Sequence, residues 1–581
     1  MITPEDYTSQ TFLDAYRSTK GTAIAVPSNP VPSKSVASKV HNLWILTVAA
    51  LGMSTLLALL ADTGHDQLWL LLAAQRLLLG PAPHLNPYGP TVFESNPPLA
   101  IWLSAIVVRA ASLLHLSLTV TLKLAVTLLA IASATISGKL LRRLNPALTR
   151  DQLWLLGIAF VFIFGAVPAR DFGQRDHILA LLVLPYLVAA ALRPIPVPAR
   201  VFITLIAALG IALKPHQTLI PIAVELAILL SSVPHVRRSL TATKVGIEQS
   251  STAFRILEPA LFLATALTYL AAIHFLAPTY LTEILPILRQ TYWAFGRLPA
   301  CQLLQAAPAI PLLLAANIAL SIYRRPPSPL IPILLVAGTA ATVAYLAQGT
   351  GWYYQQLPAI GFFALALSLQ ITEALSVSSK LIADSSRILP FLLKPLAGLT
   401  LLAFALTIHF SNFHLTPRGI EQAQSTPDPT FFADLPPNAP VATLTTSVDD
   451  TVSPAFRYHL TLAQRYPHLW MLPAILRNES GSAPSHPIAP AELQSLDRLQ
   501  HRFMVEDLQR WHPTLILVQR CQDPAVRCQV LEDRHDDLLA WFLRDPAFAA
   551  LFRQYHFLRS SGPYDAYKLT SPIQSTADER R

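Results

Sequence analysis

From Leu43 to Phe410 the chain is written in leucine- and alanine-rich blocks of near-spanning length. The twelve runs are 43–61, 97–116, 119–139, 153–168, 177–192, 200–213, 217–232, 256–276, 303–323, 330–347, 357–376 and 389–410. A helix needs about 20 apolar residues to cross a bilayer, so the pattern predicts a mainly α, polytopic membrane protein. After Ser411 the runs give way to charge, Pro and alternating positions. Val441–Val448 and Thr514–Val518 read there as buried strands, and 455–466, 491–511 and 535–554 as helices. The tail 555–570 reads as a strand or hairpin. The alternation predicts a separate α/β layered domain over 411–581.

The charges set the sidedness. Lys139, Arg142, Arg143 and Arg150 make a strongly basic loop, which belongs in the cytoplasm. With residues 1–42 as a cytoplasmic segment and 43–61 as an uncleaved first helix, one run before that loop must not span. The run 97–116 is the candidate, since it opens on Pro97-Pro98 and carries Arg109 and His115. It is expected to lie in the outer interface as a juxtamembrane helix. Later basic groups then fall inside, including Arg193, Arg200, Arg237, Arg238, Arg324 and Arg325. Eleven spans result within 43–410, with a first outer loop over 62–118 and an extracytoplasmic C-terminal domain. The pair 200–213 and 217–232 is short, but leaves the parity intact even if re-entrant.

Composition narrows the function. Charged residues are 13% of the chain, against about 25% in soluble domains, which excludes a mainly soluble or disordered protein. The net charge of +9 is spread over short loops, so it marks no nucleic-acid face. Three cysteines exclude a disulfide scaffold, an iron–sulfur site and a cysteine zinc site. Cys521 and Cys528 would lie on the oxidising side, where a disulfide and two free thiols are both open readings.

Polar residues concentrate on the outer face. They are Asp62-Thr-Gly-His65-Asp66-Gln67, Glu94-Ser95-Asn96, Arg170-Asp171-Phe-Gly-Gln174-Arg175-Asp176-His177, Lys214-Pro-His216-Gln217 and Gln348 through Gln356 with Trp352-Tyr353-Tyr354. Ionisable groups at that depth are costly unless they face a cavity or partners. A carboxylate there can take the proton of an acceptor hydroxyl. Lys, Arg and His beside it can hold a phosphate and neutralise its developing charge. Aromatic and amide groups can stack on and hydrogen-bond a sugar. Each feature has a plainer reading as well. Asp66 would cap the helix beginning at Leu68, Arg170 and Arg175 would snorkel, and Trp352 and Tyr353 would join an aromatic belt. Asp449-Asp450 follows a strand, where crevices of α/β sheets lie, or makes a solvated turn. Glu225, inside a span, reads as a structural partner.

The order His65-Asp66-Gln67-Leu-Trp69, Ala74-Gln-Arg76-Leu-Leu-Leu-Gly80, Asn86-Pro-Tyr88 and Glu94-Ser-Asn96-Pro97-Pro98-Leu99 with Trp102 resembles the first loop of the GT-C glycosyltransferases. The likeness is to the bacterial branch related to protein O-mannosyltransferases and lipid A aminoarabinose transferases. It covers 62–102 strongly, 119–410 weakly and 411–581 not at all. It implies inverting transfer of a sugar from a polyprenyl-phosphate donor, with Asp66 at the centre and Glu94 as the acid before Pro-Pro. Asp171 and Asp176 are both candidates for the family's acid after the third span. Gln67 stands where a second acid is common; no cofactor is required, and a divalent metal remains an open alternative.

The expected assignment is therefore Asp66, Glu94 and Asp171 as catalytic residues, and Arg175, Lys214 and His216 on the donor phosphate. His65, Gln67, Asn96, Asp176, Trp352 and Tyr353 are expected on substrate. The partners would be the bilayer, a polyprenyl-phosphate sugar and an envelope glycan, lipid or protein acceptor, at a bacterial inner membrane. A lipid-sugar flippase or transporter is the first rival, and a non-catalytic subunit of envelope polysaccharide assembly the second. Internal repeats, usual in transporters, are not evident.

Overall fold

The computed structural model describes residues 63–80, 85–231, 252–296, 298–323, 328–381, 426–531 and 533–570. The expected helices at 43–61 and 389–410, the segment 1–42 and Asp62 lie outside them. Every other apolar run is helical. In chain order the helices are α1 (His65–Leu79), α2 (Leu99–Leu114), α3 (Leu118–Leu144), α4 (Arg150–Val161), α5 (Arg175–Leu192), α6 (Val197–Leu213), α7 (Leu219–Ser231) and α8 (Thr252–Leu276). They continue as α9 (Leu285–Thr291), α10 (Ala300–Ala306), α11 (Ala309–Tyr323), α12 (Leu330–Gln348) and α13 (Leu357–Leu381).

Among the described residues five helices are long and apolar enough to cross a membrane, or six if α10 and α11 count as one broken span. The chain is a multi-pass membrane protein on that measure. Two expected runs differ in form. The run 303–323 is bent by 84° between α10 and α11. Ala307 there precedes Pro308 and leaves the helical region at φ −124°, ψ 54°, since a proline ring clashes with a helical predecessor. The run 153–168 is α4 followed by a π turn over Phe162–Ala166. Thr149 and Gln152 start α4 as a reciprocal capping box.

The C-terminal region carries the expected α/β layering. Its elements are β1 (Pro440–Leu444), α14 (Val448–Arg457), β2 (Thr461–Leu462), α15 (Leu472–Glu479), α16 (Pro490–Trp511), β3 (Leu515–Gln519), α17 (Leu538–Phe542), α18 (Pro546–Phe552), β4 (Tyr555–Ser561) and β5 (Tyr564–Leu569). They form a five-stranded sheet of order β2-β1-β3-β5-β4. The first three strands are parallel, and β5 and β4 are antiparallel. The helix expected at 455–466 is displaced. It begins at Val448, where Ser447 accepts from the Asp450 amide, and the chain is already a strand by Thr461. Cys521 and Cys528 are bridged.

This region shares a core with the segment from α1 to the start of α2. One buried apolar cluster holds Leu68, Trp69 and Phe93 together with Trp470, Met471 and Phe503. Phe93 stacks on Trp470 with ring centroids 5.7 Å apart, and its backbone N–H donates to the Arg465 carbonyl at 2.6 Å. Arg76 donates to the carbonyls of Thr91 at 2.7 Å and Gln464 at 2.8 Å, and its guanidinium lies over the rings of Trp69 and Trp511. Hydrogen bonds from Phe93 and Arg76, with the rings packed around them, thus fix the sheet region to the segment that carries Asp66.

Candidate active site

Asp66 sits in the first turn of α1. Gly64, before the helix, donates its N–H to the Arg170 carbonyl at 3.0 Å. A Cβ at Gly64 would stand 2.5 Å from Gln67 Oε1, 3.2 Å from the Arg170 carbonyl and 3.3 Å from Asp171 Oδ1. Only glycine lets the two loops approach that closely. Gln67 turns inward and donates to the same carbonyl at 3.4 Å, so it supports the loop contact rather than facing outward.

The Asp66 carboxylate meets four side chains or their charges. Gln174 Nε2 donates to Oδ2 at 3.0 Å. Arg175 Nη2 lies 3.8 Å from Oδ2, and His65 Nε2 lies 3.6 Å from Oδ1. Burial by itself would raise this carboxyl, but His65, Arg175 and Lys214, with the Gln174 amide, outweigh it and hold it below the ordinary value. Asp66 is therefore an anion at neutral pH. Gln174 is held in turn, because it is the N-cap of α5 and its Oε1 accepts from the Arg175 amide at 2.9 Å. Gly173, at φ +90°, makes the turn that brings this cap to Asp66.

Glu94 and Asn96 come in from the same loop. Glu94 accepts from the indole N–H of Trp69, from Ser95 Oγ at 3.0 Å and from the Asn96 amide at 2.9 Å. Asn96 Oδ1 accepts from Arg175 Nη1, and the Asn96 carbonyl accepts from Tyr88 at 2.6 Å. Burial pushes Glu94 up, with Arg175 opposing. Arg175 thus joins the Glu94–Asn96 group to Asp66, while its Nε has no hydrogen-bond partner among the described residues.

Lys214 arrives by the same physics that bends α10 and α11. It precedes Pro215, sits at φ −142°, ψ 80°, and ends α6. Its Nζ pairs with Asp176 at 3.2 Å and lies 5.1 Å from the centre of the Tyr354 ring. His216 follows in the 3-10 turn Pro215–Thr218; among the described residues its Nε2 has no hydrogen-bond partner. Asp171 is buried beside the Asp66 turn, and burial raises its carboxyl to about 6 against the pull of Arg170 and His65. Tyr353 donates to the Val167 carbonyl at 2.7 Å, so Tyr354, not Tyr353, is the ring beside Lys214. Trp352 stands near Tyr354 and Phe295, at 5.8 and 6.4 Å between ring centres.

Four participants lie outside the expected assignment of catalytic, phosphate and substrate residues. Gln174 and Arg170 lie in the quoted loop, and only their contacts single them out. Asp449 comes from the first turn of α14 and lies 3.8 Å from His65 Nδ1 and 3.6 Å from Arg170 Nη1. His468, beside Phe295, is coupled electrostatically to Asp66 and His65, and burial lowers it to about 3. The expected structural role of Glu225 holds, since it accepts from Tyr186 at 2.6 Å and from both terminal nitrogens of Arg193.

A divalent metal does not fit this donor set. Asp66, Asp176 and Asp449 each lie within 4 Å of a resident cationic nitrogen. Among the described residues no group of three or more His, Cys, Asp or Glu side chains converges as ligands.

No protein-family model matches the chain, and no curated protein matches it. Among solved structures it is similar to ArnT from Cupriavidus metallidurans in the apo state, at 13% identity and a TM-score of 0.50, covering 91% of this chain and 98% of that one. The same protein bound to undecaprenyl phosphate gives 14% identity and a TM-score of 0.48 over the same shares. The archaeal oligosaccharyltransferase AglB from Archaeoglobus fulgidus, in complex with an inhibitory peptide and a dolichol-phosphate, gives 11% identity and a TM-score of 0.41, covering 91% of this chain and 75% of that one. Over 91% of its length the chain shares the fold of ArnT.

Proposed function

We propose that the protein is an extracytoplasmic-facing membrane glycosyltransferase of the bacterial inner membrane. It moves a sugar from a polyprenyl-phosphate donor to a hydroxyl of an envelope acceptor, with inversion at the anomeric carbon. One observation carries the reading: an ionised Asp66, held by Gln174, stands beside Arg175 and within the field of Lys214. A base and two cations meet there, as attack by a hydroxyl on a phosphate-bearing carbon requires.

In the reaction Asp66 takes the hydroxyl proton as the acceptor oxygen bonds to the anomeric carbon. The bond from that carbon to the phosphate oxygen breaks on the opposite face, and its electron pair stays on the lipid phosphate. Lys214 and Arg175 balance the charge that develops there, and His216 lies at the edge of the same group. Glu94, through Asn96, holds Arg175 in place. Asp171, carried up by burial, supplies a carboxyl that donates or accepts a hydrogen bond to the sugar. Trp352 and Tyr354 offer ring faces to it.

The test is the purified full-length protein with radiolabelled undecaprenyl-phosphate hexoses and pentoses, with water or lipid acceptors. Donor cleavage that disappears in Asp66→Asn supports the reading. Donor binding with no cleavage by the wild type on the whole panel overturns it in favour of a flippase.

A further inference from the structure

We infer that Asp449, from the C-terminal α/β region, is a positioning residue that holds the His65 ring with Nε2 presented to Asp66. The inference rests on the transferase reading for its role in turnover, but the link from Asp449 to His65 stands on geometry alone.

The sheet order supplies the first argument. The chain leaves β1 for β2 on one side, and β3 pairs on the other, so the carboxyl end of β1 is a topological switch point. In open α/β sheets the crevice outside that end is where ligands are met. Here α14, which starts just beyond β1, packs directly on α1. The crevice position is thus turned toward the helix that bears His65 and Asp66.

The side chains supply the second argument. His65 Nε2 is 3.6 Å from Asp66 Oδ1, and His65 Nδ1 is 3.8 Å from Asp449 Oδ1. Asp449 Oδ2 is 3.6 Å from Arg170 Nη1, whose other terminal nitrogen is 3.5 Å from His65 Nδ1. Asp449 is itself held, one helical turn on, by the Ser453 hydroxyl, which donates to Oδ1. A line of contacts therefore runs from Ser453 through Asp449 to His65 and on to Asp66. Its members are each about a fifth to a quarter exposed where they meet, at 20–25% for Asp66, Asp449, His65 and Arg170. Polar contacts of that kind are screened less than surface pairs, and the partner on one ring nitrogen fixes what the other presents. Asp66 lies in α1 and Asp449 in α14, nearly 400 positions apart, so the pairing ties the state of the active carboxylate to the seating of the α/β region.

The groups facing the ring are Asp66, Asp449 and Arg170 by contact, and Asp171 and His468 by charge. The deciding experiment uses full-length protein in nanodiscs with 15N-labelled histidine. The His65 resonances are assigned by their loss in His65→Gln, and donor cleavage is measured against pH on the same samples. Asp449→Asn should shift both ring nitrogens of His65, lower kcat about tenfold with the donor KM unchanged, and move the pH profile. Asp449→Glu should restore most of each effect. An unchanged His65 spectrum in Asp449→Asn overturns the inference whatever the activity. A shifted spectrum with kcat and pH profile unchanged overturns the role in turnover and leaves the transferase reading standing. A shifted spectrum restored by Asp449→Glu, with no cleavage by wild type, supports the positioning link and sinks the transferase reading alone.

Discussion

Helix α5 carries a buried charge cluster at each end, and the two are built differently. Its eighteen residues rise about 27 Å, so Arg175 and Arg193 stand at opposite ends of the bundle. At the Arg193 end, both terminal nitrogens meet Glu225 at 2.9 and 2.6 Å, Tyr186 adds a bond of 2.6 Å, and Arg200 Nε meets Glu258 at 2.7 Å. At the Arg175 end the ion pairs run from 3.2 to 3.8 Å. The first cluster is two guanidinium groups closed on two carboxylates. In the second, ions are near enough to set one another's charge, yet not closed in bidentate pairs. The difference separates a network that holds helices together from one arranged to meet a ligand. Buried charge alone does not mark a site; unclosed geometry does.

Substitutions can break that contrast or sharpen it. Asp66→Asn should lower donor cleavage by about a thousandfold or more at unchanged thermal stability, since it removes the base and keeps the shape. Radiolabel release from the lipid donor checks it. Glu225→Ala should do the reverse. Removing one partner of a buried pair costs about 3 kcal/mol or more, so the unfolding temperature falls while turnover per folded molecule stays within about twofold. The paired change Glu225→Leu with Arg193→Met should recover most of the loss, measured by thermal unfolding in detergent. Lys214→Met should cost about a hundredfold in kcat/KM for the donor and should also lower the unfolding temperature, because it leaves the buried Asp176 carboxylate without the cation that stands 3.2 Å from it. Steady-state kinetics over donor concentration reads it.

The smallest effect concerns the α/β region. Asp450 is buried and accepts from Tyr564, and burial lifts it to about 7. A carboxyl raised on folding stabilises the protein most below its unfolded value, and the contribution fades as pH rises through the folded one. Thermal stability should therefore decline as pH rises toward about 7, and Asp450→Asn should flatten the upper part of that decline. Asp507, lifted by burial to about 6 beside Arg465, should keep some slope below it. Melting curves of the full chain across pH separate the two.

Much of this was legible in the chain. The apolar runs mark helices because a helix that faces lipid must be apolar along its length, a property of consecutive residues. Glu94, Asp66, Arg175 and Lys214 could be named because each lies in a short polar stretch within three residues of a Gly or Pro at the edge of an apolar run, where a charge is costly unless it faces a cavity or partners. Two proline positions, Pro215 and Pro308, also tell where helices break, since the clash with the preceding residue is local. Gln67 and Tyr353 were less legible: both are polar residues in the right loop that turn to backbone carbonyls instead, and the direction of a side chain depends on its neighbours in space.

By itself, then, the sequence determined the membrane-spanning character, the α/β composition after Ser411, and the loops that carry the chemistry, all through periodicity, proline sterics and the cost of burying charge. Only the tertiary structure decided which charges meet. It set Arg175 against Asp66 and Asn96, closed Glu225 on Arg193, and brought Asp449 and His468 from the far end of the chain to His65 and Asp66. The reason is that Coulomb and hydrogen-bond energies depend on distances of a few ångströms through space. Packing of Trp69, Phe93 and Trp470 fixes those distances, and no local pattern along the chain encodes them.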